Sequence, residues 1–129
     1  MRCTDWMDVN RHWSPGDVVW ASAFKYTHDK TGKHLHQKPI RGMLAAGPKP
    51  ADQDWAMAHH PCPQATHFVP FKKGTSEPAW SRAVTLYARM FADTEAEATE
   101  LYDGAIQDAI AWHEGQITML NGLRIKEGK

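Results

Sequence analysis

Cationic side chains occur at three places in this sequence, and at two of them aromatic residues lie close by. They are Arg41 in PIRGML, Lys72 and Lys73 in PFKKG, and Arg82, Tyr87, Arg89 and Phe91 in SRAVTLYARMF. A guanidinium group binds phosphate through paired hydrogen bonds, and an aromatic ring offers a face on which a base can stack. Together these residue types predict a site for a nucleotide-like ligand. The alternative is structural, because strand arginines often lie flat over a sheet and strand aromatics often belong to a core.

Histidine is the other chemically versatile residue, with 8 copies in 129 residues. His34 and His36 are two positions apart, so on a strand they would point the same way, and His59, His60 and Cys62 cluster in a proline-rich stretch. A zinc site needs three or four ligands at suitable spacing, and no further ligands complete either group. We therefore expect surface histidines, with no bound metal and no other cofactor.

Catalytic motifs are missing from the chain. It has no GxSxG elbow, P-loop, GxGxxG turn or HExxH helix. A neighbouring histidine could activate Cys62 as a nucleophile, but Cys62 lies between Pro61 and Pro63, where the backbone is stiff and short of N–H donors for an oxyanion hole. We therefore expect a binding protein rather than an enzyme.

The charge balance excludes some classes of partner. Lysine plus arginine equals aspartate plus glutamate at 15 each, so the chain has no overall attraction to DNA or to an anionic membrane. Six acids nevertheless fall in residues 95–114 without a lysine or arginine among them. They are Glu95, Glu97, Glu100, Asp103, Asp108 and Glu114. No run approaches the roughly 20 apolar residues of a membrane span and no secretory h-region opens the chain, so we expect a cytoplasmic protein.

The elements that must position these residues begin with a predicted hairpin in a single domain, 1–129. SPGDVVWASAFKYT alternates and predicts a strand near 17–27, with Val18, Trp20, Phe24 and Tyr26 on one face. HDKTGK predicts a turn, and HLHQKPIRGMLA a second strand. Within that strand, Pro39 and Gly42 predict an edge position or a bulge.

Further along, residues 47–65 contain four of the eight prolines and show no hydrophobic period, which predicts a long irregular loop. THFVPFKKG predicts a third strand and AWSRAVTLYARMF a fourth. In the fourth, Val84, Leu86, Ala88 and Met90 alternate with the aromatic and cationic positions. The sheet therefore occupies residues 14–92 and has about four to six antiparallel strands.

A helix over residues 95–121 completes a predicted α+β fold. Thr94 and Glu97 form a capping-box pattern that predicts its start. Apolar residues then follow the helical period: Ala98, Leu101, Tyr102, Ala105, Ile106, Ala109, Ile110, His113, Ile117 and Leu120. Such a helix is about 40 Å long, against a diameter of roughly 36 Å for a compact chain of this size. It either breaks at Gly104 or Gly115, or, as we expect, pairs with a second copy of the chain.

The stretch SRAVTLYARMFADTEAEATELYDGAI resembles a group of small phage-encoded proteins in which a strand ending in Arg-x-aromatic-Ala-Asp-Thr runs into a long helix. On these residues, with PFKKG upstream, the chain is similar to the first family of Thoeris anti-defence proteins over about residues 66–112. These phage sponges bind cyclic ADP-ribose-type immune signals, and members of the family can also hold cyclic oligonucleotides.

The resemblance implies a homo-oligomer, dimeric or higher, with ligand pockets between subunits in the cytoplasm of an infected bacterial host. The ligand is held without cleavage, so that the host's defence is blocked. Carried onto this chain, it implies phosphate contacts from Arg41, Arg82 and Arg89, stacking on Tyr87 and Phe91, and a hydrogen-bond acceptor at Asp93. The middle of the family's helix is commonly basic, whereas here it carries Asp108, Trp112 and His113; Trp112 would stack and His113 would donate.

The acidic residues of the predicted helix support a different reading. Six acids within about 30 Å imitate an array of phosphates. The alternative function is therefore a protein-binding inhibitor, similar to an anti-CRISPR, whose acidic helix face docks on a basic nucleic-acid groove.

Overall fold

A computed structural model describes residues 3–22 and 39–125 of the chain. In these residues three α-helices accompany a four-stranded antiparallel sheet, which confirms the predicted α+β class. The helices are α1 (Trp6–His12), α2 (Pro50–His59) and α3 (Glu95–Gly122), and the strands are β1 (Val18–Ala21), β2 (Ile40–Ala45), β3 (His67–Pro70) and β4 (Phe91–Ala92).

The strand order is β3-β2-β1-β4. The antiparallel pairing of β1 with β2, from Val18 opposite Met43 to Ala21 opposite Ile40, confirms the pairing expected for a hairpin. The predicted turn at 28–33, the first strand beyond residue 22, and both His34 and His36 lie outside the described residues.

The prediction of an edge position or a bulge for β2 is wrong. β2 pairs with β1 on one side and with β3 on the other, in continuous register. Gly42 has another role, because a Cβ built there would lie 2.4 Å from the Val69 carbonyl oxygen and 2.6 Å from Cζ of Phe68. The missing side chain lets Phe68 lie against the strand, so the glycine serves packing inside the sheet.

Strand β1 buries the face that carries its smaller residues. Val19 and Ala21 are fully buried, whereas Val18 is 50% exposed and Trp20 is half-buried. The alternation was predicted, but the larger side chains do not face the core. The space beneath the sheet is filled instead by aromatic rings from other elements.

Those rings come from α1 and the residue that follows it, and from strands β3 and β4. The ring of Phe91 meets Trp6 edge-on at 5.4 Å, Trp13 at 6.5 Å and Phe68 at 5.7 Å between centroids. The indole N–H of Trp6 also donates to the carbonyl of Leu86 at 2.9 Å. A short N-terminal helix, capped by the Asp5 side chain, is thereby attached to the core.

Residues 47–65, predicted as an irregular loop, contain α2, so that prediction is wrong. Pro50 occupies the first turn of the helix, where a missing N–H costs nothing and the fixed φ favours helical geometry. Only Ala56 of this helix is buried. Because the only buried residue of the helix is a small alanine, the sequence carries no apolar stripe to indicate the helix.

The fourth strand is also shorter than predicted. Of residues 79–91, Trp80–Arg82 and Ala88–Met90 are short 3-10 helices, Val84 makes one isolated bridge to Phe68, and regular pairing begins at Phe91. The predicted apolar face is nevertheless kept, since Leu86, Ala88 and Met90 are buried. In this segment buried and exposed residues alternate although the backbone is irregular and runs along the core without regular strand pairing.

Helix α3 confirms the prediction of one unbroken helix. The Thr94 hydroxyl accepts a 3.1 Å hydrogen bond from the Glu97 N–H, as the capping pattern predicts. The helix runs for 28 residues through Gly104 and Gly115, a length of about 42 Å. Of its residues only Ala98 is buried, while Ile110, Ile117 and Leu120 are 44%, 57% and 57% exposed. None of the helices in the described ranges is long and apolar enough to cross a membrane.

Candidate ligand groove

An open groove of about 870 Å³ lies where β2 begins and β3 ends. Four cationic side chains line it together with an apolar floor, and we call it the cationic groove. Its defining residues are Arg41, Lys72, Lys73 and Arg82 around Ile40 and Phe71. The sheet accounts for this convergence, because antiparallel register sets Gly42 opposite Pro70 and so brings the residues beside them together.

Arg41 is held in place by three contacts. Its guanidinium carbon lies 5.0 Å from the centroid of the Phe71 ring, and its Nη2 donates to Ser76 Oγ at 2.8 Å and to the Thr75 carbonyl at 3.4 Å. Stacking on an aromatic face and hydrogen bonding within a plane are complementary uses of a guanidinium. Arg41 is therefore preorganised at the wall of the groove.

The turn after β3 forms the other wall. Gly74 has a φ of 72°, which only glycine adopts at low cost. The Thr75 N–H and hydroxyl both donate to the Lys72 carbonyl at 2.9 Å, and the Lys72 N–H donates to the Glu77 carbonyl at 2.8 Å. These bonds give the Lys-Lys-Gly-Thr turn a defined shape, so that Lys72 and Lys73 extend from a fixed base.

Four of the residues that line the groove are cationic, in a chain whose net charge is zero. Its lining residues in the described part of the chain include no carboxylate. Glu77 lies nearby, 3.6 Å from Lys72 Nζ, and offsets one of the four positive charges. The groove is therefore suited to an anion carrying more than one negative charge.

Tyr87 and Arg89 lie together but do not line the groove. The Arg89 guanidinium is 5.4 Å from the centroid of the Tyr87 ring, and Tyr87 is 44% exposed. The Nε of Arg89 is buried with no hydrogen-bond partner among the described residues. The structure thus separates the predicted cationic and aromatic residues into two groups, of which the first contains Arg41 and Arg82.

Phe91 and Asp93 were both predicted to contact ligand, but Phe91 belongs to the aromatic core and Asp93 is an exposed residue bonded to that core. Phe91 is fully buried beneath Trp6, Trp13 and Phe68, so the prediction that its ring stacks on a ligand is wrong. The Asp93 carboxylate accepts a 2.8 Å hydrogen bond from the Trp13 indole. Phe91 is 0% exposed. The strand pattern could not predict this burial, because it placed Phe91 and Arg89 on the same face of the predicted strand.

Trp112 and His113 lie on α3 with their rings 5.0 Å apart, edge to face. They follow the start of the helix at Glu95 by 17 and 18 positions, about 26 Å along its axis. Neither residue lines the cationic groove of the same chain. Within one subunit, therefore, the structure does not bring the predicted helix contribution together with Arg41 and Arg82.

Three residues at the groove escaped prediction from the sequence. Phe71 stacks on Arg41, Ser76 accepts from it, and Thr75 closes the turn. The stretch PFKKGTS carried a partial signal, because a glycine followed by small hydroxyl residues is typical of a tight turn. The pairing of Arg41 with this turn depends on the register of two strands and could not be seen in either segment alone.

The histidines and cysteines give no metal centre in the part of the chain that the structure describes. There, no three side chains among histidine, cysteine, aspartate and glutamate are placed so that they could hold an ion. His59, His60 and Cys62 all belong to that part of the chain. Cys3 is a core residue, 1% exposed, and this burial raises the pKa of its thiol.

Fold and groove together define a small α+β protein with a four-stranded antiparallel sheet, a long C-terminal helix and a cationic ligand groove at one end of the sheet. No protein-family model, curated protein or solved structure matches the chain.

Proposed function

We propose that this protein binds a cyclic nucleotide in the cationic groove and sequesters it without cleaving it. The observation that carries the proposal is the convergence of four cationic side chains in one groove, with Arg41 stacked on the Phe71 ring. The four are Arg41, Lys72, Lys73 and Arg82. Cationic side chains suit the phosphates of such a ligand, and the apolar floor suits its bases or riboses. A fixed Arg41 loses little conformational freedom on binding, which favours affinity.

Sequestration rather than turnover is supported by the chemistry of the lining. Within the described ranges, no histidine, cysteine or carboxylate lines the groove. These are the side chains that most often act as general base or nucleophile. A ligand held by cations and an apolar surface is bound without an obvious route to hydrolysis.

The ligand class follows the resemblance to the first Thoeris anti-defence family. The protein would act in the cytoplasm of an infected bacterium by removing a cyclic ADP-ribose isomer, or a cyclic oligonucleotide, before it activates its effector. Two copies would pair through α3, whose Ile110, Ile117 and Leu120 are well exposed. Pairing would give Trp112 and His113 a route to the groove of a second subunit.

Isothermal titration with cyclic ADP-ribose isomers and with cyclic di- and trinucleotides tests the proposal. We expect saturable binding to at least one of them, and recovery of that ligand chemically intact, by liquid chromatography and mass spectrometry, after heat denaturation. A variant in which Arg11 of α1 is replaced by Ala is the matched control, since Arg11 is an exposed arginine outside the groove. Silence across the whole panel would refute the proposal, and a degraded product would make the protein an enzyme.

A second candidate function rests on the acidic side of α3. Glu100, Asp103 and Asp108 are exposed, in a helix with no basic residue in its last turn. Such a face would suit a protein whose own nucleic-acid site is basic. Replacing Glu97, Glu100 and Asp103 by Lys separates the two candidates, because it should abolish docking on such a protein while titration with cyclic nucleotides stays unchanged.

A further inference from the structure

A second cavity, of about 540 Å³, lies between α2 and the segment that leads into β3. We call it the α2 cleft. Its main lining residues are Gly47, Asp52, Trp55, His60, Cys62 and His67. Its volume lies in the usual range for small-molecule sites. Unlike the cationic groove, it has no lysine or arginine among its lining residues in the described part of the chain.

The indole of Trp55 is the largest side chain of the α2 cleft, and it is held although it is 56% exposed. The His59 ring stacks on it at 4.8 Å with an interplanar angle of 18°, and the His60 ring meets it edge-on at 5.2 Å. His59 Nδ1 in turn lies 2.9 Å from the Trp55 carbonyl. An exposed indole fixed in this way offers a preorganised stacking surface.

Asp52 supplies the only carboxylate among the lining residues of the α2 cleft in the described chain. It lies three positions before Trp55, so the two side chains are on the same side of the helix. A Cβ at Gly47 would lie 2.4 Å from Asp52 Cβ. The glycine therefore lets the first turn of α2 approach the loop closely enough for Asp52 to line the cleft.

Uncharged hydrogen-bonding groups complete the cleft on the β3 side. The Thr66 hydroxyl lies 2.8 Å from His67 Nδ1. Burial lowers the pKa of His67 below its ordinary value of 6.5, partly opposed by the charge of Asp52. Among the described lining residues Asp52 is the one carboxylate, and no lysine or arginine lies beside it.

We propose that the α2 cleft binds an unphosphorylated purine nucleobase or nucleoside, with guanine as the preferred base. The Trp55 indole stacks on the purine ring, and the Asp52 carboxylate accepts from N1–H and from the exocyclic amino group. This pairing uses the two adjacent donors of guanine, whereas adenine presents an acceptor at N1. A phosphate finds no lysine or arginine among the described lining residues, so phosphorylation of the ligand does not improve binding.

Titration with guanosine, inosine, adenosine and guanosine monophosphate tests this site. We expect guanosine to bind best. Inosine, which lacks the amino group, should bind about tenfold more weakly, as expected for one hydrogen bond to a charged group. Adenosine should be weaker still, and the monophosphate no tighter than guanosine. The Trp55 indole N–H resonance, assigned with a Trp55→Phe variant, should shift on addition of guanosine.

Replacing Asp52 by Asn should weaken guanosine binding at least tenfold. The matched control is Asp54→Asn, an exposed aspartate of the same helix that does not line the cleft. Arg41→Ala should leave guanosine binding unchanged, so failure of this site and failure of the cationic groove are observed separately. No binding of guanosine at millimolar concentration, equal affinity for adenosine, or unchanged affinity in Asp52→Asn would each overturn the proposal, and thermal unfolding of each variant confirms that it is folded.

Discussion

The indole N–H of Trp13 donates a 2.8 Å hydrogen bond to the carboxylate of Asp93, which lies 80 positions later in the chain. Trp13 follows α1 directly and is 8% exposed, while Asp93 comes directly before Thr94, the cap of α3. One hydrogen bond thus joins the N-terminal helix to the point where the long helix leaves the sheet. It gives Asp93 a structural reason to be an acid, independent of any ligand.

Replacing Asp93 by Ala should reduce the free energy of unfolding by about 1–3 kcal/mol, because the indole N–H of Trp13 loses a charged acceptor. Denaturant unfolding followed by tryptophan fluorescence measures this. Asp103→Ala is the control, since Asp103 is an exposed acid within α3, and its effect should be within about 0.5 kcal/mol. Equal stability of both variants would show that the hydrogen bond contributes little.

Arg41→Ala should weaken binding of a cyclic nucleotide by about 1.5–3 kcal/mol, the range for hydrogen bonds to charged groups. Arg41→Lys should restore only part of the loss, because an ammonium cannot reproduce both the stacking on Phe71 and the planar hydrogen bonds to the turn. Isothermal titration measures both, with Arg11→Ala as the reference. Full affinity in Arg41→Ala would remove Arg41 from the site.

Gly42 and Gly104 should respond in opposite directions to the same change. Gly42→Ala places a methyl group 2.4 Å from a backbone oxygen in the middle of the sheet and should destabilise the fold by about 1–3 kcal/mol or more. Nothing lies within 4 Å of a Cβ at Gly104, so Gly104→Ala should stabilise α3 by about 0.5–1 kcal/mol. Thermal or denaturant unfolding of the two variants side by side checks both signs.

Pairing of two α3 helices should be sensitive to charge on the exposed apolar side. Ile117 is 57% exposed, and Ile117→Glu would place a charge in the proposed contact. We expect this variant to sediment as a monomer where the parent chain sediments as a dimer or larger. Thr118→Glu, an exposed neighbour turned about 100° away around the helix, should leave the assembly unchanged. A monomeric parent chain would contradict the pairing.

The stability of the fold should decline in mild acid because of His67. Burial lowers the pKa of His67 in the folded chain from 6.5, so as the pH falls below that value the unfolded chain takes up its proton first. The contribution of His67 to stability is therefore complete above about pH 6.5 and is lost as the pH falls toward the folded pKa. Urea midpoints measured at a series of pH values should show this decline, and His67→Gln should flatten it more than His59→Gln, which changes an exposed histidine.

The sequence predicted those parts of the fold in which local signals and burial agree. Thr94 gave the start of α3 its cap, and a long helical period followed it, so the helix was predicted to within one residue at its C-terminal end. The β1–β2 pairing followed from two alternating segments. Helix α2 was not predicted, because proline is common both in loops and in the first turn of a helix. The composition around Pro50 favoured a loop, whereas the proline in fact begins the helix.

For the candidate site, the sequence predicted which types of residue line the groove better than it predicted where each residue lies in the fold. Arg41 and Arg82 line one groove as their chemistry suggested, yet Phe91, of equally suitable chemistry, fills the core. The difference lies in the path of residues 79–91, which turn through two short 3-10 helices instead of following one strand. Such a path depends on contacts with α1 that are distant in sequence, including the bond from Trp6 to the Leu86 carbonyl.

Strand β2 has both candidate sites at its ends. Arg41, near its beginning, lines the cationic groove, and Gly47, two residues beyond Ala45, lines the α2 cleft. Because β2 is hydrogen-bonded on both sides, it acts as a rigid spacer between the sites, about 13 Å from Arg41 to its last residue, Ala45. Inserting one residue in this strand would turn Arg41 to the opposite face of the sheet while the cleft stayed where it is. The distance between the two sites can therefore change only in steps of one residue, and each step also changes the face on which Arg41 lies.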